Sequence, residues 1–180
     1  MYYIAHNCHG NFNKIIFSGK LLPSAVTKNV ALYGLEEGSI YIYLQIYSTE
    51  NEISKKGANE LIISPSFLQK HNIYMNLGWI TEIYDKTIIL RTKGKTRNEI
   101  QSILKNAYEH VLEFYEKHGE RTTGIFFMSH ELLYKYPINL KKYLRYINLS
   151  SLGNVLTDEI KKKLLEYKNV TIVTNLSQII

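Results

Sequence analysis

Met128-Ser-His-Glu-Leu-Leu-Tyr-Lys-Tyr-Pro-Ile-Asn-Leu-Lys-Lys-Tyr-Leu144 is the stretch that decides the fold. It sets one carboxylate, Glu131, in an apolar run that reads as a strand over Glu131–Tyr134. It then passes into a Leu/Tyr/Lys segment that reads as a short helix near Leu140–Tyr146. A carboxylate placed among such neighbours needs a partner, because burying one unpaired costs several kcal/mol. The strand therefore carries a group whose presence asks for a chemical reason.

Working outward, a strand is expected near Gly124–Phe127, another near Ile147–Leu149, and a last one at Val170–Thr174. Asp158–Tyr167 reads as a helix capped by Thr157. Upstream, Thr96 and Glu99 form a capping box that opens the longest helix, near 97–118. Ile100, Ile103, Leu104, Ala107, Tyr108, Val111, Leu112 and Tyr115 keep helical spacing along it, and Gly119 closes it. Glu109, Glu113, Glu116 and Lys117 make its solvated face.

The first half holds the strongest strand signal, Ser39-Ile-Tyr-Ile-Tyr-Leu-Gln-Ile-Tyr47, dense in β-branched and aromatic residues. Shorter strands are expected at Tyr2–Ala5, Glu60–Ile63 and Thr87–Arg91. Phe12, Ile15 and Ile16 before Gly19 space as a short helix, and Ser64-Pro65 opens another to about Lys70. Leu22 to Gly38 is turn-rich and reads as loop. Helices and strands mix without regular alternation, which predicts an α+β fold with a mostly antiparallel sheet.

The 180 residues fit one domain spanning 1–180. Hydrophobic residues make up 45% and charged residues 21%, as in ordinary globular proteins. No run reaches the length of a membrane span and the N-terminus lacks a signal-peptide layout, so no membrane partner is expected. The single Cys8 forms no internal disulfide, which fits a reduced, cytoplasmic location. The net charge of +6 permits an anionic partner without demanding one. Abundant Ile, Asn, Lys and Tyr point to an AT-rich genome, such as that of a virus, a parasite or a low-GC bacterium.

Three flanked motifs, in order, resemble the ADP-ribosyltransferase fold of the poly(ADP-ribose) polymerase and diphtheria-toxin-like branch. Tyr3-Ile-Ala-His6, followed by Phe12 to Ser24, is similar to that family's strand ending in His-Gly-Ser/Thr and the helix after it. Gly38-Ser-Ile-Tyr41-Ile-Tyr43-Leu is similar to its Gly-Ile/Val-Tyr strand. Glu131 and the Ile-Asn-Leu-Lys-Lys-Tyr-Leu that follows are similar to its closing strand and segment.

The resemblance implies a split antiparallel sheet with flanking helices and a His-Tyr-Glu triad made by His6, Tyr41 and Glu131. It implies NAD as substrate and no metal. ADP-ribose would pass to a protein or nucleic-acid acceptor. Glu131 would stabilise the positive charge that develops on the ribose as nicotinamide leaves. Tyr41, or Tyr43 in its place, would stack on nicotinamide, and His6 would hydrogen-bond the adenosine ribose. Asn7 stands where the family has a glycine whose backbone binds the carboxamide, and the long helix looks like an addition to the minimal fold.

Two alternatives share the fold. An RNA 2′-phosphotransferase would gather arginines around a phosphate, yet Arg91, Arg97, Arg121 and Arg145 do not fall among the His and Tyr motifs. A catalytically inactive relative would serve as a nucleotide- or nucleic-acid-binding module, a reading that Asn7 supports. Outside the resemblance, His6, Cys8 and His9 are too few for a zinc site. Arg91-Thr-Lys-Gly-Lys-Thr-Arg97 is a basic turn at a helix start, a place suited to an anion. Lys161-Lys-Lys163 reads as a solvated helix face.

Overall fold

The computed structural model describes residues 1–8, 10–23, 26, 40–48, 60–76, 87–118, 131–149, 157–167 and 169–173. The fold is α+β, and its sheet is mostly antiparallel. In chain order the strands are β1 Tyr2–Asn7, β2 Lys20–Leu21, β3 Ile42–Ser48, β4 Glu60–Ile63 and β5 Ile73–Asn76. They continue with β6 Thr87–Leu90, β7 Leu132–Tyr134, β8 Ile138–Asn139, β9 Leu144–Asn148 and β10 Thr171–Val173. The helices are α1 Phe12–Ser18, α2 Arg97–His118, α3 Leu140–Tyr143 and α4 Asp158–Leu164.

Eight strands lie in the order β10-β9-β4-β1-β3-β7-β5-β6, and β2 pairs with β8 separately. Among the described residues, only β9 and β10 run parallel. The sheet is staggered at β3. Residues 45–48 of that strand pair with β1, whereas Ile42, Tyr43 and Leu44 pair with Tyr134, Leu133 and Leu132 of β7. β3 thus joins two half-sheets, each leaning on a different half of it.

Side-chain alternation divides the residues between two faces. Ile4, Ile42, Leu44, Leu61, Ile63, Met75, Leu132 and Tyr134 point to one face and form the main core with the helices. Phe12 and Ile16 of α1, Ile100, Leu104, Ala107 and Val111 of α2, and Ile160 and Leu164 of α4 are buried in that same cluster. The opposite face holds two smaller clusters. One gathers Ala5, Tyr47, Ile62 and Val173 with Tyr3 and Tyr146. The other has Leu133 under Tyr41, Tyr43 and Tyr74.

The local signals explain most elements. The capping box is reciprocal, with the Thr96 amide donating to Glu99 Oε2 at 2.8 Å and the Glu99 amide to Thr96 Oγ1 at 3.3 Å. Gly19 ends α1 at φ 68, a left-handed backbone that a side chain would strain. Thr157 caps α4 by accepting from the Ile160 amide. The Gln101 side chain of α2 holds both backbone groups of Tyr2 at 2.8 Å, tying the helix to β1.

Some boundaries differ from expectation. The strand expected from Ser39 begins at Ile42, so Tyr41 stands just ahead of β3. The helix expected over Leu140–Tyr146 stops at Tyr143, because Leu144 onward pairs with β4 and becomes β9. The segment after Ser64 is a 3-10 helix, Pro65–Gln69, opened by Pro65 and capped by the Ser64 side chain accepting from the Ser66 amide. The helix expected to Tyr167 ends at Leu164. β5 and the β2–β8 pair were not anticipated; their runs of two to four residues are too short for periodicity to show. The loop at 27–38, the strand near 124–127 and Gly119 lie outside the described residues.

Candidate active site around Glu131

Glu131 directly precedes β7. Its carbonyl accepts from the Asn76 amide at 2.9 Å, which carries the β5–β7 ladder on to this residue. Alternation then puts its side chain on the face of Leu133, Tyr43 and Tyr41, away from the helices. The residue is 5% exposed, and its Oε2 has no hydrogen-bond partner among the described residues. Burial alone pushes the carboxyl up from 4.5 to about 8, so at neutral pH it is largely protonated.

His6 lies on β1 opposite Leu61 of β4, and like Ile4 it points toward the helix-covered face. Its Nδ1 lies 2.9 Å from the Tyr43 carbonyl oxygen. A carbonyl can only accept, so Nδ1 carries the proton. His6 and Tyr43 are thus brought together, ring to backbone. His6 and Glu131 are not, since they point to opposite faces of the sheet on strands separated by β3. Asn7, the next residue, pairs in register with Glu60, whose Oε2 accepts from Asn148 Nδ2 at 3.1 Å in a buried polar row.

The register also separates the two candidate stacking tyrosines. Continuing the β3–β7 pairing by one step sets Glu131 level with Gln45. Tyr43 is two positions from that level, about 7 Å along the strand, and Tyr41 is four, about 13 Å. Tyr41 instead meets Tyr74, ring centroids 6.2 Å apart, with Lys135 Nζ 5.2 Å and 5.4 Å from the two rings. Sequence reasoning missed Tyr74 and Lys135. The only available signal was the inward Ile73 and Met75, which imply an outward Tyr74.

The remaining candidates are accounted for locally. Cys8 is buried and its thiol is pushed up to about 12 by burial and by Glu60, which opposes the thiolate a metal would need. His9 lies outside the described residues, and no group of three metal-ligating side chains occurs among those described.

Within the basic turn the amides of residues 92–96 are all engaged. Those of Thr92, Lys93, Gly94, Lys95 and Thr96 donate to Leu90, Asn72, Gln69, Thr92 and Glu99 respectively. Glu99 itself occupies the helix N-terminus that an anion would use, its carboxyl lowered to about 2 by Lys95 and Thr96. Of the four arginines, Arg145 donates to the Lys142 and Leu144 carbonyls, and Arg121 lies outside the described residues. Lys161 and Lys163 bond Asp158 and Glu166 on the surface of α4. No helix among the described residues is long and apolar enough to cross a membrane.

A family model matches residues 1–118, and its description is a family of unknown function, DUF5846. That span runs from β1 through α2 and ends before Glu131. No curated protein and no solved structure matches the chain.

Proposed function

The chain belongs to DUF5846, a family of unknown function, and from that premise we propose that it is an NAD-dependent ADP-ribosyltransferase. In this reading the fold is ADP-ribosyltransferase-like, Glu131 is the catalytic carboxylate, and Tyr43 takes the stacking role first expected of Tyr41. The supporting observation is the buried carboxyl of Glu131, whose Oε2 lacks a hydrogen-bond partner among the described residues. Folding tolerates such a group at a cost, and sites with strongly perturbed carboxyls are concentrated where chemistry is done.

The electrostatics suit the reaction. A carboxyl raised to about 8 by burial ionises readily once a cation arrives beside it. As the ribose–nicotinamide bond breaks, its electron pair moves onto the nicotinamide nitrogen and positive charge collects on the ribose. An ionised Glu131 stabilises that charge as it grows, so it favours the transition state over bound NAD. The acceptor's lone pair then forms the new bond to the ribose carbon, and the acceptor's proton passes to Glu131 or to water. His6 acts on Tyr43 as a positioning residue, by holding its carbonyl.

One observation favours the inactive binding-module reading: His6 points to the other face from Glu131. Labelled NAD and a lysate of acceptors separate the two. The enzyme reading expects nicotinamide release that falls about 10²–10³-fold in Glu131→Gln, with NAD affinity by calorimetry little changed. Wild-type protein that binds no NAD and releases no nicotinamide overturns it.

A further inference from the structure

We propose that the sheet face opposite the helices binds single-stranded nucleic acid, with bases stacking on Tyr41 and Tyr74 and Lys135 meeting the phosphate backbone. The inference does not require the NAD reading: that reading gives no role to Tyr74 and Lys135, and passes the stacking role of Tyr41 to Tyr43.

Every described helix longer than one turn buries its apolar residues in the cluster on the other face. On this face, Leu133 is the buried floor at 1% exposure, and Tyr41, Tyr43 and Tyr74 stand half-buried around it. Lys135 is exposed and sits over both the Tyr41 and the Tyr74 ring. Among the described residues it has no carboxylate partner, so its charge is met by the aromatic faces alone. The exposed ammonium reaches these half-buried rings from the solvent side, the side from which an incoming group would approach. A base can take the place of the ammonium on a ring, and the lysine, held by nothing stronger, can turn to the adjoining phosphate.

The pattern repeats on the same face. Tyr3 and Tyr146 meet edge to face with ring centroids 5.6 Å apart, and the charges of Arg97 and Arg145 reach Tyr3. Tyr3 pairs with Tyr47, which lies six positions along β3 from Tyr41, or about 20 Å. Two aromatic pairs at that spacing suit a chain of several nucleotides rather than one.

Charge and chemistry select the occupant. Stacking needs bases free of a duplex, and aromatic sheet faces accept any base because each has a π-face. The net charge of +6 favours a polyanion. Glu131 on this face is largely protonated at neutral pH and offers phosphate little repulsion. An acidic peptide would engage the cations and leave the aromatic faces unused.

The test is fluorescence anisotropy with a labelled single strand of about 12 nucleotides, within the usual range of site sizes, its duplex form, and AMP and polyglutamate as competitors. Binding should prefer the single strand. Tyr41→Ala and Tyr74→Ala should each weaken it about 5- to 150-fold, as loss of one stacked base does. Tyr41→Phe and Tyr74→Phe should bind nearly as wild type, which controls for folding. Lys135→Ala should weaken binding and lower the salt slope by about 0.7. Equal affinity for duplex, alanine variants that bind as wild type, or full competition by polyglutamate overturns the proposal. Competition by AMP at the same concentration as the strand also overturns it, in favour of a mononucleotide site. Nicotinamide release enters none of these readouts, so this proposal and the NAD reading fail separately.

Discussion

His6 Nδ1 donates to the carbonyl oxygen of Tyr43 at 2.9 Å, at the level where the β1–β3 ladder has ended. The β1–β3 pairing ends at Ala5 and Gln45, and the imidazole supplies a donor to the carbonyl beyond them. A histidine on one strand thereby fixes the backbone of the neighbouring strand that carries the candidate stacking residue.

His6→Ala should cost about 0.5–1.5 kcal/mol in a reversible urea melt, the net value of one such bond. His6→Asn keeps a donor near the position of Nδ1 and should recover most of the loss. If Tyr43 stacks on nicotinamide, His6→Ala should also raise KM for NAD more than it lowers kcat. Equal stability of the alanine and asparagine variants would show that the bond contributes nothing.

Glu131 makes stability depend on pH in a defined direction. Its folded carboxyl is raised from 4.5 to about 8 by burial, so the folded state binds the proton more tightly than the unfolded chain does. The contribution is fully present below about pH 4.5 and is lost as pH rises through about 8. Its size is on the order of 3–5 kcal/mol. Urea unfolding at about pH 5 and about pH 9 should show wild type losing stability relative to Glu131→Gln. Parallel curves for the two proteins would contradict the burial of the carboxyl.

Leu104 of α2 is fully buried against the sheet. Leu104→Ala should cost about 2–5 kcal/mol, through lost transfer energy and the cavity left behind. Ile103, expected in the same stripe, instead lines a groove of about 510 Å³ with Ile88, Ile89, Leu90 and Ala107. Ile103→Ala should therefore cost less than Leu104→Ala. The reverse order would mean that the helix is rotated from the position described.

Cys8 is 2% exposed and its thiol is pushed up to about 12. It should react with a thiol reagent at neutral pH far more slowly in the native protein than in urea. Comparable rates in both states would show that the β1 end opens freely.

Local elements whose signals lie within one turn or one pleat could be read from neighbouring residues alone. The capping box at Thr96 and Glu99, the αL glycine after α1, the Thr157 cap and the apolar stripe of α2 were all legible, because short-range hydrogen bonds and side-chain periodicity are written in neighbouring residues. So was Glu131 as a carboxylate out of place in an apolar strand. Where strands begin and which residues share a face depend instead on long-range pairing. Leu144 leaves a helical pattern because Ile63 of β4, 81 residues earlier, offers a ladder partner, and no neighbour of Leu144 records that. The faces of His6 and Glu131, and the meeting of Tyr41 with Tyr74 and Lys135, depend on the stagger at β3. That stagger is set by long-range pairing, in which a one-residue change of register would turn every side chain to the other side of the sheet.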